Sequence, residues 1–293
     1  MSKPLKILII GQHGQVSQAL QKTLADLGEL IVLGRDKLDL SDQMTDFDQI
    51  QELKPDLIIN AAAYTAVDQA ETDQKTALSV NAIAAGMLAD QARELAIPLI
   101  HYSTDYVFDG SKATPWTEQD KPSPLGVYGA SKWAGEQAIE YVGGQYLILR
   151  TSWVYSSVGR NFLLTMQRLL QERAELNVVS DQIGAPTWAG TIAQSTRHLI
   201  ERWRDGQPGA WGTYHLTAGG ETSWFGFAQA IGEQLVKQGK PCATLNAIPS
   251  SAYPTPAERP LNSRLACSLL QAEWGVQQPD WHSALLECLA EQG

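Results

Sequence analysis

The sequence predicts an α/β protein: a doubly wound parallel sheet, Rossmann-like, with a smaller C-terminal α/β lobe. Three observations carry this. The first half holds near-continuous apolar runs, which suit strands buried on both faces. These runs alternate with longer segments of helical spacing, the pattern of a parallel sheet wound with helices. A pair of glycines follows the first run directly and precedes a helical segment.

The elements follow in order. "LKILII" (5–10) reads as the first strand and 15–27 as the first helix. "LIVLG" (30–34), "DLIINAA" (56–62), "PLIHYST" (98–104) and "QYLILRTS" (145–152) read as further strands, with helical spacing of Ala, Leu and Ile over 45–53, 72–96 and 128–142. This pattern assigns residues 1–155 to a dinucleotide-binding domain. The character then changes: residues 175–293 hold most of the prolines and no regular alternation. Helices are expected at 189–204, 223–237 and 279–291. Residues 156–293 are read mainly as a substrate lobe, with segments that can cross back to the first domain.

Composition bounds the function. The chain has 293 residues, 44% of them hydrophobic, enough for a substantial core. Its formal net charge of −10 argues against a nucleic-acid surface, which needs clustered Lys and Arg. No apolar run approaches the ~20 residues that span a bilayer, and the six-residue run near the start is too short for a signal peptide. Cys242, Cys267 and Cys288 match no zinc spacing and cannot complete a disulfide framework. A cytoplasmic protein without membrane contact is expected.

"ILIIGQHGQVSQAL" sets Gly11 and Gly14 between strand and helix, with Gln12, Gln15 and Val16 beside them. Glycine there lets the backbone turn tightly and approach a pyrophosphate, and the helix N-terminus supplies N–H groups and partial positive charge. Taken alone, the pair also fits a tight turn with no ligand. The third small position is Ser17, which predicts looser helix–strand packing. Where the second strand ends, an acid would take the ribose hydroxyls of NAD. This chain has Gly34 and Arg35 instead, and an arginine suits a 2′-phosphate through charge-assisted bonds. A solvated surface Arg35 is the bland alternative. Asp39 and Leu40 follow, placed for the adenine edge. NADP(H) is favoured over NAD(H).

In "YGASKWAGEQ" (128–137), Tyr128 and Lys132 stand four residues apart, on one helix face. A phenol titrates near ~10, and a cation beside it favours the phenolate. A Tyr–Lys pair at this spacing is common on ordinary helices. Here "HYSTDYVFDG" brings hydroxyl residues Ser103 and Thr104 to the carboxyl end of a buried strand, where open α/β sheets bind ligands. A hydroxyl there can hold a carbonyl oxygen while Tyr128 donates a proton to it, and Lys132 can lower the tyrosine pKa and bind the nicotinamide ribose. His13, His101, His198, His215 and His282 form no ligand spacing and are read as structural.

With these residues in place the chain resembles the extended short-chain dehydrogenase/reductase family, and within it the dTDP-4-dehydrorhamnose reductase family. The similarity runs end to end, through "NAAAYTAVDQAE" (60–71), "VNAIAAG" (80–86), "STDYVFDG" (103–110), "YGASK" (128–132), "LRTSWVY" (149–155), "DQIGAPT" (181–187) and "RPLNSRL" (259–265). The resemblance implies NADPH-dependent reduction of the C4 keto group of a dTDP-4-dehydro-β-L-rhamnose substrate. It implies Thr104, Tyr128 and Lys132 as the catalytic set, with Tyr128 as general acid. It implies Ala62, Ala63 and Tyr64 at the cofactor, and Val67, Asp105, Tyr106, Trp153 and Arg259 at the nucleotide sugar. For Trp153 core packing, and for Asp105 a loop cap, stay open. Some family members hold Mg²⁺ through carboxylates at a dimer interface. Two of those positions match Ala19 and Gly190, which offer no oxygen ligand, although Glu287 and Glu291 near the C-terminus can attract a cation loosely. A monomer or metal-independent dimer with no protein-built metal site is therefore expected. Another nucleotide-sugar reductase or epimerase, and a non-catalytic NADP-binding regulatory subunit, are the competing functions.

Overall fold

The computed structural model describes residues 4–42 and 44–292. Five strands of the first half form where expected: β1 (Leu5–Ile10), β2 (Gly28–Leu33), β3 (Leu57–Asn60), β4 (Leu99–Thr104) and β5 (Tyr146–Thr151). Short pairs follow: β6 (Val154–Tyr155) with β9 (Thr187–Trp188), β7 (Glu175–Val179) with β12 (Thr244–Ile248), and β8 (Ile183–Gly184) with β11 (Thr222–Ser223). The remaining strand, β10 (Gly212–His215), pairs in parallel with β5 and becomes the sixth strand of the main sheet. The sheet order is β10-β5-β4-β3-β1-β2, with every pairing parallel.

Period two along β1 explains the two cores. Ile7 and Ile9 point to one face, Leu8 and Ile10 to the other, and all four are buried. The first face packs against α1 (Gln15–Thr23) and, from the second half of the chain, α8 (Ala189–Arg204) and α10 (Ser268–Trp274), through Leu20, Ile192, Leu199, Leu270 and Trp274. The second face is covered by α5 (Ala84–Glu94) and α6 (Val127–Val142), through Leu88, Ala85 and Ile139. Between β2 and β3 lies the short α2 (Gln49–Leu53), so the helix expected from 45 starts later.

The helix expected over 72–96 is interrupted. After α3 (Val67–Ala70), α4 (Gln74–Leu78) passes through a π turn at Ser79–Ile83 before α5 begins. A third core, remote from the sheet, joins α7 (Phe162–Glu172), α9 (Trp224–Lys237) and α11 (Trp281–Ala290) through Leu163, Leu170, Phe227, Ile231 and Leu285. The chain moves from β1 outward to β2, then crosses to β3 on the other side of β1. That reversal opens a crevice beyond the carboxyl ends of the strands.

Candidate active site

A cleft of about 1120 Å³ occupies this crevice. Its walls come from the carboxyl ends of β1 to β5 and, on the far side, from Gly159, Arg160 and Trp224 of the second lobe. Every residue that the sequence reading placed at cofactor, substrate or chemistry lines it, except Arg259.

The glycine turn forms one end. Gly11 has φ +98°, a conformation L side chains rarely adopt, and a Cβ there would lie 3.1 Å from the Ala62 amide nitrogen. The backbone of β1 therefore approaches the Ala61–Ala62 segment closely, and both segments line the cleft with Gln12, Gly14, Gln15, Val16 and Ala63. Gly14 caps α1 in an extended conformation, leaving the first N–H groups of the helix without intrahelical partners. Ser17, expected to loosen the turn, does the reverse: it is fully buried, and its hydroxyl donates to the Gly11 carbonyl at 2.5 Å. A cradle that glycine alone can form, beside a helix N-terminus, fits a dinucleotide pyrophosphate.

At the end of β2, Arg35 Nε donates to Asp39 Oδ2 (3.1 Å) and Nη2 to Ser41 Oγ (3.0 Å). Hydrogen bonds from the Ser41 side chain and backbone, then the Arg35 guanidinium, hold the Asp39 carboxyl below its usual range. Arg35, Asp39, Leu40 and Ser41 form one polar edge of the cleft, with the guanidinium mostly exposed.

The middle of the cleft is the end of β4. Thr104 Oγ1 accepts from the Tyr106 N–H at 3.2 Å and donates to Asp105 Oδ1 at 3.1 Å. Asp105 is almost fully buried, its Oδ2 has no hydrogen-bond partner, and burial pushes its carboxyl up to about 6 against the opposing Ser263 and Thr104 hydroxyls. Tyr106 and Tyr128 meet edge to face at 5.5 Å. Lys132 is buried; its Nζ donates to the Tyr102 carbonyl at 2.7 Å and lies 3.1 Å from His101 Nε2. Burial lowers Lys132 to about 8. The depression of Tyr128 expected from Lys132 is not what the structure shows: burial raises the phenol to about 12, with the Thr104 hydroxyl opposing. Tyr128 is therefore a neutral phenol that can give a proton, and Thr104 and Lys132 line the same cleft.

Several residues of the site escaped the sequence reading. Asn81, in the π turn, accepts from the Tyr64 N–H (2.8 Å) and donates to the Tyr64 carbonyl (3.1 Å) and Ser131 Oγ (3.0 Å). Ser131 Oγ in turn donates to the Tyr128 carbonyl (2.8 Å), so one asparagine ties the β3 loop to the helix of Tyr128. Glu71 Oε1 accepts from the Val127 N–H at the start of α6, an acid at a helix N-terminus. The break in apolar periodicity at "SVNAI" was the available signal for Asn81.

On the lobe side, Trp153 stacks on Trp224, ring centres 3.7 Å apart and planes 11° from parallel. Trp153 has φ +50°, a strained value for a tryptophan. A Cβ on Gly184 would lie 2.7 Å from its ring, so Gly184 and Trp224 flank the indole. Trp224 Nε1 donates to Gln182 Oε1 at 3.1 Å. Val67 lines the cleft, and its neighbour Asp68 grips Arg259 through both guanidinium nitrogens (3.0 and 2.9 Å). Arg259 thus sits by the site without lining the cleft.

Ala19 lies on α1 and Gly190 on α8. Glu291 Oε1 accepts from Lys22 Nζ at 2.9 Å. Among the described residues no group of three or more His, Cys, Asp and Glu side chains is arranged to hold a metal ion, and no helix is long and apolar enough to cross a membrane. The three cysteines are free thiols.

Comparison with known proteins gives a consistent picture. The family model described as the RmlD substrate binding domain matches residues 5–293. A curated dTDP-4-dehydrorhamnose reductase of Burkholderia thailandensis is 46% identical over 98% of this chain and 99% of its own length. That of Escherichia coli K12 is 44% identical over 98% of both. The crystal structure of dTDP-4-dehydrorhamnose reductase from Bacillus anthracis in complex with NADP superposes with a TM-score of 0.90 at 33% identity, covering 99% of this chain and all of that one.

Proposed function

The chain belongs to the family of the RmlD substrate binding domain and dTDP-4-dehydrorhamnose reductase, and from that premise we propose that it reduces the C4 keto group of dTDP-4-dehydro-β-L-rhamnose to give dTDP-L-rhamnose, using NADPH. The observation that carries the reading is that Thr104, Tyr128 and Lys132 line one cleft with the Gly11 cradle.

Gly11, Gln12, Gly14, Gln15 and Val16 would hold the cofactor pyrophosphate, Arg35, Asp39 and Leu40 its adenosine end, and Ala62, Ala63, Tyr64, Tyr128 and Lys132 its nicotinamide half. When bound, the cofactor supplies a hydride to the substrate carbonyl carbon. Thr104 hydrogen-bonds the carbonyl oxygen and fixes its position. Tyr128, kept as a phenol by burial, gives its proton to that oxygen as negative charge develops on it. Lys132 as ammonium stabilises the resulting phenolate. Val67, Asp105, Tyr106, Trp153 and Arg259 hold the nucleotide sugar: Arg259, pre-set by Asp68, suits a phosphate oxygen, and the indole of Trp153 suits a sugar face.

Residues 1–155 supply most of the cofactor wall and 156–293 the facing wall, which supports a division of labour between the two parts. Ala19 and Gly190 in place of carboxylates, with Glu291 already paired to Lys22, support a monomer or metal-independent dimer, and the three free thiols fit a reducing cytoplasm. Purified protein given NADPH and the 4-keto sugar nucleotide tests the function. Oxidation of NADPH with formation of dTDP-L-rhamnose is expected; cofactor binding without turnover would leave the regulatory-subunit reading instead.

A further inference from the structure

We propose that His101 is a positioning residue for Lys132: it links the charge of Nζ to the side chain of Asn60 by changing tautomer, without itself becoming charged. The kinetic part of this proposal rests on the reductase reading above.

His101 is buried in the middle of β4, in register with Asn60 on β3. The pair stands behind Lys132, out of contact with solvent. Five polar groups form a line, joined by four contacts. The Ala62 N–H donates to Asn60 Oδ1 at 3.2 Å; Asn60 Nδ2 lies 3.0 Å from His101 Nδ1; His101 Nε2 lies 3.1 Å from Lys132 Nζ; and Nζ donates to the Tyr102 carbonyl at 2.7 Å.

The donors and acceptors in this line constrain one another. With Asn60 Oδ1 taken by the Ala62 N–H, its amide nitrogen faces the imidazole and must donate. Nδ1 then carries the lone pair and Nε2 the proton. Nε2–H points at Nζ, so Nζ must accept, which only a neutral amine can do. An ammonium Nζ has no lone pair. In that state Nε2 must accept, the imidazole proton moves to Nδ1, and the Asn60 amide must turn so that Oδ1 faces it. In net, NζH₃⁺ becomes NζH₂ and one proton leaves; the imidazole keeps one proton throughout, on Nδ1 in the first state and Nε2 in the second. The turn of Asn60 also frees the Ala62 N–H, and Ala62 lines the cleft.

An imidazolium does not enter this scheme. Burial, and then the charge of Lys132, hold His101 well below its ordinary value. The groups facing Lys132 are few. From β4 come His101 and the Tyr102 carbonyl. From α6 come Tyr128 and, one turn on, Glu136, whose carboxylate is bound by Arg150 of β5 at 2.6 Å. Among the described residues no carboxylate hydrogen-bonds Nζ, so a neutral imidazole is the acceptor that sets how readily Nζ holds its third proton. With Nζ lowered to about 8 by burial, the exchange falls within an accessible pH range.

The test has two arms on the full-length protein. Nitrogen NMR of histidine-labelled wild type reads the His101 tautomer directly, whether or not the protein is active. The expected result is a proton on Nδ1 below the titration of Lys132 and on Nε2 above it. In the kinetic arm, the alkaline limb of kcat/KM moves down by about one pH unit in His101→Phe, which removes the acceptor, and up by about one unit in Asn60→Asp, whose carboxylate locks the proton on Nδ1. A His101 tautomer that does not change while activity titrates, or a limb that stays in place in both variants, overturns the proposal. A tautomer change in a protein that does not reduce the 4-keto sugar would sustain the role of His101 and refute the reductase reading.

Discussion

The hydroxyl of Thr104 donates to the carboxyl of Asp105, its neighbour in sequence, at 3.1 Å, and that bond is part of what keeps a buried acid charged at neutral pH. Burial acts in the opposite direction and dominates, leaving the Asp105 carboxyl at about 6.

Asp105→Asn is expected to stabilise the fold at neutral pH while weakening the enzyme. The native value lies above the ordinary carboxyl value of 3.8, so the native state binds more protons between about 4 and 6 and loses stability as pH rises through that window. Above it the penalty is constant, on the order of 2–3 kcal/mol at ~1.4 kcal/mol per pH unit. Thermal melts at pH 4 and pH 7.5 check this: the variant should gain over wild type mainly at the higher pH. An equal gain at both would show that the charge is not the cause.

Tyr128→Phe should fold normally and lose ~10²–10⁴-fold in kcat, the range typical of a general acid. The removed hydroxyl is the phenol beside Thr104. Turnover close to wild type would remove Tyr128 from the mechanism.

Arg35→Ala should lower the preference for NADPH over NADH by raising the KM for NADPH. The guanidinium is held by Asp39 and Ser41 at the polar edge of the cleft, so it is already oriented. Comparing kcat/KM for the two cofactors decides the matter, and an unchanged ratio would show that the phosphate is read elsewhere.

Gly184→Ala should raise the KM for the nucleotide sugar and leave NADPH affinity unchanged. The added methyl would lie 2.7 Å from the Trp153 ring, which is also stacked on Trp224. Overpacking of this kind costs ~1–3 kcal/mol, here as displacement of an indole in the cleft wall. An unaltered KM would argue that Trp153 only fills the lobe.

Activity and oligomeric state should survive EDTA. Glu291 is neutralised by Lys22, and Ala19 and Gly190 contribute no ligand oxygen. Light scattering after size exclusion, with and without chelator, checks it; a dimer that dissociates and loses activity on chelation would reverse the conclusion.

Strands β1 to β5 were legible because residues such as Ile7 to Ile10 are buried on both faces and so cannot alternate with polar ones. β10 was not legible: Gly212–His215 is four residues long and largely polar, and only its pairing with β5 makes it a strand. Gly11, Tyr128 and Lys132 could be found from spacing because each acts within one local element. The roles of Asn81 and Trp224 could not, since they lie in contacts with Tyr64, Ser131 and Trp153, far away in the chain; the break in periodicity at Asn81 marks the place but not the partners. The upward shift of Tyr128 was not legible for a related reason: the spacing shows that Lys132 shares its helix face, but not that the phenol is buried and that Nζ turns to Tyr102 and His101.

β10 completes the sheet beyond β5, and α8 covers the face beneath it, yet both are encoded after the second lobe has begun. During synthesis, β5 is therefore finished while the strand that must satisfy its outer N–H and C=O groups has not yet been made. An uncovered parallel edge beside bare apolar surface is a template for pairing with another chain. The order of translation and the order of the sheet are at odds, and the nascent protein is most prone to self-association in the interval before residues 212–215 emerge.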